Sequence, residues 1–319
     1  MARGWRVIDA TGFEGTVSGA PGRLKLEPSV PRCGQLQMPT ELAAEEIAVV
    51  LLGGRVTITA AALHYATKHD VSLVASDWKG VPFGGFVSWS DHGRVASRHI
   101  AQAELSEPRK KNAWMRIVKA KILGQAATLE PVDPSGARRL VEVARGVRSG
   151  DPRNAEGSAA RLYWRRLFPD LDSFLRDRDG ADVVNPMLNY GYTVLRGYGI
   201  RAVSGAGLCS PLGLFHRGRA NYFNLVDDLI EPFRPAIDAT VVKLASEAVI
   251  ADDEVRHRLV AAASQPFTVE GHRIPAVMDD LAQQLGRYVE GDVATFAVPC
   301  WAGPPQCVDG EADRSDEAW

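Results

Sequence analysis

Near Gly93 the character of the chain changes, and that change bounds what it can fold into. Before it, short runs such as Arg6-Val-Ile and Arg23-Leu-Lys-Leu alternate with Gly and Pro, the pattern of brief strands joined by turns. Ile47 to Leu52 reads as a buried strand, Gly53-Gly54 as a turn, and Val56-Thr-Ile-Thr as an extended piece ending in a cap at Thr59 for a helix over 60–68. Val71 to Ala75 reads as another strand, followed by a Gly- and Pro-containing stretch from Lys79 to Phe86. The Gly pair lacks the G-x-G-x-x-G spacing of a dinucleotide site.

After Gly93, long segments carry apolar residues at helical spacing, punctuated by Pro134, Pro152, Pro169 and Pro186. Helices are expected over 95–105, 110–128, 137–148, 152–167, 186–204, 219–233 continuing to about 248, 253–263 and 274–290. Strands first and helices afterwards make an α+β chain: a small β-rich N-terminal domain over 1–90, then a larger all-α-helical domain over 91–305, with a polar junction from Ser90 to Gly93. Trp301 is expected to pack on the helical part. Residues 306–319 read as an acidic, disordered tail.

The overall formal charge of −2 hides an uneven distribution. Between Gly93 and Arg166 stand sixteen Lys or Arg against seven Asp or Glu, so that stretch carries +9 and the remainder −11. Trp114, Tyr163 and Trp164 lie within it. Basic residues interleaved with aromatics suit a surface that tracks phosphates, although solvated helix faces are also rich in Arg. The four cysteines, Cys33, Cys209, Cys300 and Cys307, have no paired short spacing and read as reduced thiols, not a zinc knuckle or a disulfide framework. The first residues lack a signal-peptide pattern, and the longest aliphatic run, Ile47 to Leu52, is too short to cross a bilayer; a cytoplasmic location without membrane contact is expected.

Three segments can carry chemistry. Asp227, Asp228 and Glu231 fall in Asn221-Tyr-Phe-Asn-Leu-Val-Asp-Asp-Leu-Ile-Glu-Pro-Phe-Arg, where helical spacing lets Glu231 share a face with either aspartate. Such clustering needs a cation or an arginine, and Arg234 is the purely structural partner. His216 lies upstream in Ser210-Pro-Leu-Gly-Leu-Phe-His-Arg-Gly-Arg, and Glu156 in Asn154-Ala-Glu-Gly-Ser-Ala-Ala-Arg-Leu-Tyr-Trp. Two carboxylates and an imidazole form an oxygen and nitrogen set suited to Mg2+ or Mn2+ when waters and phosphate oxygens complete the shell.

These segments, with Leu188-Asn-Tyr-Gly-Tyr, Leu195, Gly205 to His216, and Asn221 to Asp238, resemble the CRISPR-associated adaptation integrase/endonuclease family, the larger of the two universal spacer-acquisition proteins. The likeness runs in order through the helical part and more faintly into the β-rich part. The dense Asp227-Asp228-Leu-Ile-Glu-Pro-Phe-Arg segment looks most like systems with a single large effector nuclease. The resemblance implies that Glu156, His216 and Glu231 are the catalytic metal ligands, with Asp228 and Asp227 as alternates because relatives differ over the acid used. Ser210 departs from the family, many of whose members have an aspartate before the proline. Also implied are a Mg2+ or Mn2+ cofactor, and joining of a captured double-stranded DNA fragment's 3′ hydroxyl to the repeat edge of a CRISPR array. The expected nucleic-acid contacts are Arg138, Arg139, Arg145, Arg161, Arg165, Arg217 and Arg219. Expected protein partners are a second copy, paired through the β-rich domain, the small ferredoxin-like CRISPR acquisition protein, and the system's effector nuclease. A metal-dependent DNA nuclease of repair or recombination would use the same ligands with water as nucleophile; a non-catalytic helical DNA-binding scaffold would use none of them.

Overall fold

The computed structural model describes residues 5–29, 38–77, 82–88, 92–169, 174–180, 182–247 and 252–304. Ser90 of the expected junction, the acidic tail, Cys33 and Cys307 lie outside the described residues.

In chain order the N-terminal region forms strands β1 (Arg6–Ala10), β2 (Gly15–Ala20), β3 (Arg23–Pro28), β4 (Thr40–Ala43), β5 (Ile47–Leu52) and β6 (Val56–Ile58), helix α1 (Ala60–Lys68), then β7 (Ser72–Ser76) and β8 (Pro82–Phe86). They make two four-stranded sheets, ordered β1-β5-β7-β8 and β4-β3-β2-β6. In the first, β1, β5 and β7 run parallel and β8 closes one edge antiparallel. Thr59 caps α1 by accepting from the Ala62 N–H at 3.2 Å.

Strand β5 shows why its six residues are all apolar. Val49 and Leu51 face a large core shared with the helices, whereas Ile47, Val50 and Leu52 face a smaller one with Val17, Leu24 and Ala62. A strand covered on both faces reads as a continuous hydrophobic run, not an alternating one. The β-rich region therefore leans on the helical region through one sheet face.

The remainder is helical: α2 (Val95–Ala103), α3 (Glu107–Leu129), α4 (Pro134–Gly146), α5 (Ala155–Leu167), α6 (Val184–Gly205), α7 (Asn224–Leu229), α8 (Arg234–Ala245), α9 (Asp252–Ala262) and α10 (Ile274–Val289). The fold is mixed α+β with its sheets in the N-terminal region. Helix α6 is the central beam, with residues buried on nearly every side from Val184 to Val203. It packs against β5, where a Cβ on Gly197 would meet Val49 Cγ1 at 2.9 Å, so glycine is what lets helix and strand approach. Trp301 is buried beside Phe267, with ring centroids 5.7 Å apart, as expected of it.

One expectation fails. The continuous helix over 219–248 is broken into α7, a 3-10 turn over Glu231–Phe233, and α8. Pro232 and Pro235 sit in the first turns of the later two pieces, where a missing N–H does least harm. The Gly- and Pro-containing stretch, for which no element was expected, ends in strand β8. Among the described residues, no helix is long and apolar enough to cross a membrane.

Candidate metal centre and nucleic-acid face

Glu156 lies in the first turn of α5, a site that local chemistry fixes twice. Asn154, in the left-handed region at φ 50°, accepts from the Gly157 N–H at 3.0 Å. Asp151 accepts from the Ala155 and Glu156 N–H groups at 2.8 and 3.0 Å. The helix start is thereby satisfied by side chains, and its positive end favours a carboxylate there.

Glu231 reaches the same place from the 3-10 turn. Helix α3 supplies the link: Lys121 Nζ is 2.6 Å from Glu156 Oε1 and 2.7 Å from Glu231 Oε2. The two carboxylates thus share one ammonium. Arg234 holds the other Glu231 oxygen at 3.1 Å. Burial opposes ionisation of Glu231, but Arg234 and Lys121 outweigh it and hold the carboxyl below its usual range. Burial likewise works against the Lys121 charge, and Glu231 and Glu156 overcome it. The contact between Lys121 and Glu231 Oε2 is a close ion pair with a poorly aligned hydrogen bond.

His216 comes from the loop between α6 and α7. Its backbone is pinned by Asn224, which donates to Pro211 O and Gly218 O, and by Gln102, which donates to Cys209 O and Leu212 O. Gly213 is obligatory in this loop, because a Cβ there would meet His216 O at 2.4 Å. The buried Asp228 carboxylate accepts from the N–H groups of Leu214, Phe215 and His216 at 2.6, 3.0 and 3.2 Å, and its Oδ1 lies 2.6 Å from His216 Nδ1. This bond raises the affinity of His216 for its proton, against the effect of burial. Burial pushes the Asp228 carboxyl up, and its donors pull it back. Phe215 stacks on Trp114 of α3 at 4.3 Å, and the Trp114 edge faces the His216 ring at 5.9 Å. Trp114 and Lys121, seven residues apart, present from one face of α3.

Asp227 and Asp228, the alternates to Glu231, are committed elsewhere. Asp227 accepts from Arg196 Nε at 2.9 Å and from Asn221 Nδ2 at 2.8 Å, while Asp228 orients His216. Glu231 is the acid of this group that meets Glu156 across a common cation. Among the described residues, no three His, Cys, Asp or Glu side chains form a ready-made cation cluster, and Lys121 stands between the two glutamates. The donor set nevertheless fits a hard divalent ion. Two carboxylates already neutralise one point charge, and Asp228 at Nδ1 leaves His216 Nε2 available.

All seven arginines expected to meet nucleic acid are exposed. Arg138, Arg139 and Arg145 lie on α4, and Arg161 and Arg165 on α5. Arg217 and Arg219 follow His216; Arg217 pairs with Glu107 at 3.0 Å. Sequence reasoning missed Lys121 and the orienting role of Asp228, and it read Trp114 as part of a phosphate-tracking surface, whereas the structure buries it. Lys121 carried no mark among the fifteen other basic residues of the stretch from Gly93 to Arg166.

Cys209 and Cys300 are free thiols, in keeping with the expectation of reduced cysteines. Burial raises the Cys300 thiol to about 11.

A β-rich region docked on a helical bundle, with two carboxylates gathered on one ammonium and exposed arginines on α4 and α5, defines a class of α+β proteins. Two solved structures share the fold: a casposase bound to integration product, with TM-score 0.75 at 16% identity over 97% of this chain and 96% of that one, and a Cas6-RT-Cas1–Cas2 complex, with TM-score 0.73 at 19% identity over 96% and 37%. The chain belongs to the family of CRISPR associated protein Cas1, whose sequence profile matches residues 34–263. It is similar to the CRISPR-associated endonuclease Cas1 of Neisseria meningitidis serogroup C (strain 8013), 41% identical over 202 residues. That match spans 63% of this chain and 65% of the relative, just under two thirds of its length.

Proposed function

We propose that this chain is a spacer-acquisition integrase, a DNA endonuclease working as a transesterase, which joins the 3′ hydroxyl of a captured duplex fragment to the repeat edge of a CRISPR array. The observation that carries the reading is the meeting of Glu156 from α5 and Glu231 from the 3-10 turn on one cation, with His216, held at Nδ1, near enough for its charge to interact with that of Glu231. Family membership and the shared fold with a casposase bound to integration product support it.

Glu156, His216 and Glu231 would hold Mg2+ or Mn2+, which when bound activates the attacking hydroxyl and stabilises charge on the phosphate. The chain's own contribution is positional. Asp228 fixes the His216 tautomer and ring plane, and Trp114 and Phe215 wall the imidazole on one side. Asn154 and Asp151 hold the α5 start that aims Glu156. Arg138, Arg139, Arg145, Arg161, Arg165, Arg217 and Arg219 supply a phosphate-binding face, which gives affinity without reading sequence. A second copy, the small acquisition protein and the effector nuclease are the proposed partners; the Cas6-RT-Cas1–Cas2 neighbour supports the second of these. The proposed organisation keeps residues 1–90 for dimerisation and 91–305 for catalysis.

The test uses purified chain, with and without the small partner, a short duplex and a repeat-containing plasmid in Mg2+, Mn2+ or chelator. Joined products that need metal and vanish in His216→Ala and Glu231→Ala are expected. Cutting without joining supports the repair-nuclease reading instead, and binding that both variants match in every respect refutes the catalytic assignment.

A further inference from the structure

We infer that Lys121 is a built-in stand-in for the catalytic cation: its ammonium occupies the space between Glu156 and Glu231 in the metal-free chain and must leave it when a divalent ion enters. The inference rests on the reading of those two glutamates as ligands and adds a residue that reading does not contain.

The charge balance makes the argument. Lys121 and Arg234 face Glu156 and Glu231 in a partly buried cluster whose four charges balance. A divalent ion placed between the same carboxylates would add two positive charges a few ångströms from the ammonium, in a region of low dielectric. Like charges so close repel strongly there. Lys121 Nζ and the ion also compete for the same oxygens, Glu156 Oε1 and Glu231 Oε2, so both cannot be fully coordinated at once. Without the ammonium, the two carboxylates would repel each other and the site would spread. Lys121 thus keeps the ligands gathered while it blocks them.

The geometry also permits departure. The Glu156 side chain is 23% exposed against 4% for Glu231, which places the way out on the Glu156 side. A four-carbon stem with freely rotating bonds can follow it. Exchange of one ammonium for one hydrated ion then sets the apparent metal affinity, because only the lysine-out population is competent to bind.

The experiment is Mn2+ titration of the full chain, followed by the resonance signal of free Mn2+, for wild type, Lys121→Met, Lys121→Gln, Glu156→Gln and Glu231→Gln. Both lysine variants are expected to bind Mn2+ about tenfold more tightly than wild type, and both glutamate variants to lose binding. Glutamate variants that lose binding while the lysine variants gain nothing overturn the role of Lys121 and leave the ligand reading standing. Glutamate variants that bind like wild type overturn both together. Should the lysine variants fail to fold, amine acetylation of wild type decides: Lys121 should react several-fold faster in Mn2+ than in chelator, normalised to the exposed Lys243. An unchanged or slower rate overturns the inference.

Discussion

Replacing Asp228 with asparagine isolates the group that orients His216. Four donors converge on this carboxylate: the Leu214 and Phe215 N–H groups on Oδ2, and the His216 N–H and ring Nδ1 on Oδ1. An asparagine can keep its carbonyl toward Leu214 and Phe215, but its amide nitrogen then faces His216. The ring can meet an amide donor only by giving up its Nδ1 proton, which moves the proton to Nε2, the nitrogen left for a metal. The His216 backbone N–H is also left without its acceptor. Removing charged hydrogen bonds from a buried group costs roughly 1.5–3 kcal/mol in stability. Removing an orienting partner behind a metal-bound histidine costs about 10–100-fold in metal affinity. Calorimetric Mn2+ titration reads the second quantity, and ring-nitrogen shifts of the metal-free variant read the tautomer. A folded Asp228→Asn that binds Mn2+ within about twofold of wild type and keeps its proton on Nδ1 would refute the reasoning; the expected weakening is set by the outer-shell range.

Other consequences are open to direct test. Asp238 is buried between the Tyr163 and Tyr192 hydroxyls, which donate to its two oxygens, and burial raises its carboxyl to about 7 despite those bonds. The native state therefore keeps this proton after the unfolded chain has released it. That contribution to stability should fall by about 1.4 kcal/mol per pH unit between the unfolded and native values, then level off; urea unfolding of Asp238→Asn should show a shallower fall than wild type. Gly197→Val would drive a methyl-bearing Cβ into Val49 and should cost roughly 1–3 kcal/mol of stability, read as a lower melting temperature, whereas Gly205→Ala, facing open space, should not. Changing Arg138, Arg139 and Arg145 together to glutamine should weaken binding to any duplex and flatten the logarithmic salt dependence by about 0.9 for each phosphate that is no longer neutralised, with Mn2+ affinity unchanged.

Much of the helical layout was legible because apolar residues recur at helical spacing between proline stops. The α1 span matched to the residue, since Thr59 supplies its cap, and β5 matched because an apolar run between turn residues has few other fates. Strand β8, Pro82–Phe86, was hidden: Pro and two glycines argue against a strand, yet Gly85 is what permits approach to Leu73 O, where a Cβ would sit at 2.6 Å. Strand β2, with glycines at both its start and its fifth position, exists through its pairing with β3 and β6 more than through its own propensity. The acid to prefer among Asp227, Asp228 and Glu231 could not be read from spacing on one continuous helix. The break at Pro232 turns Glu231 toward α3 and α5, while Arg196 and His216 engage the aspartates. Lys121 was legible only as one positive charge in a basic run, because its meaning depends on two carboxylates from distant segments.

The central claim is that Glu156, His216 and Glu231 hold one divalent ion. Anomalous scattering from crystals of the full chain grown with Mn2+ tests it most directly. A single strong peak within roughly 2.0–2.5 Å of Glu156, His216 Nε2 and Glu231 is the expected result, with Lys121 Nζ displaced from between the carboxylates. A peak seated instead beside Asp227 and Arg196, or Mn2+ bound with Lys121 still bridging Glu156 and Glu231, would contradict the account.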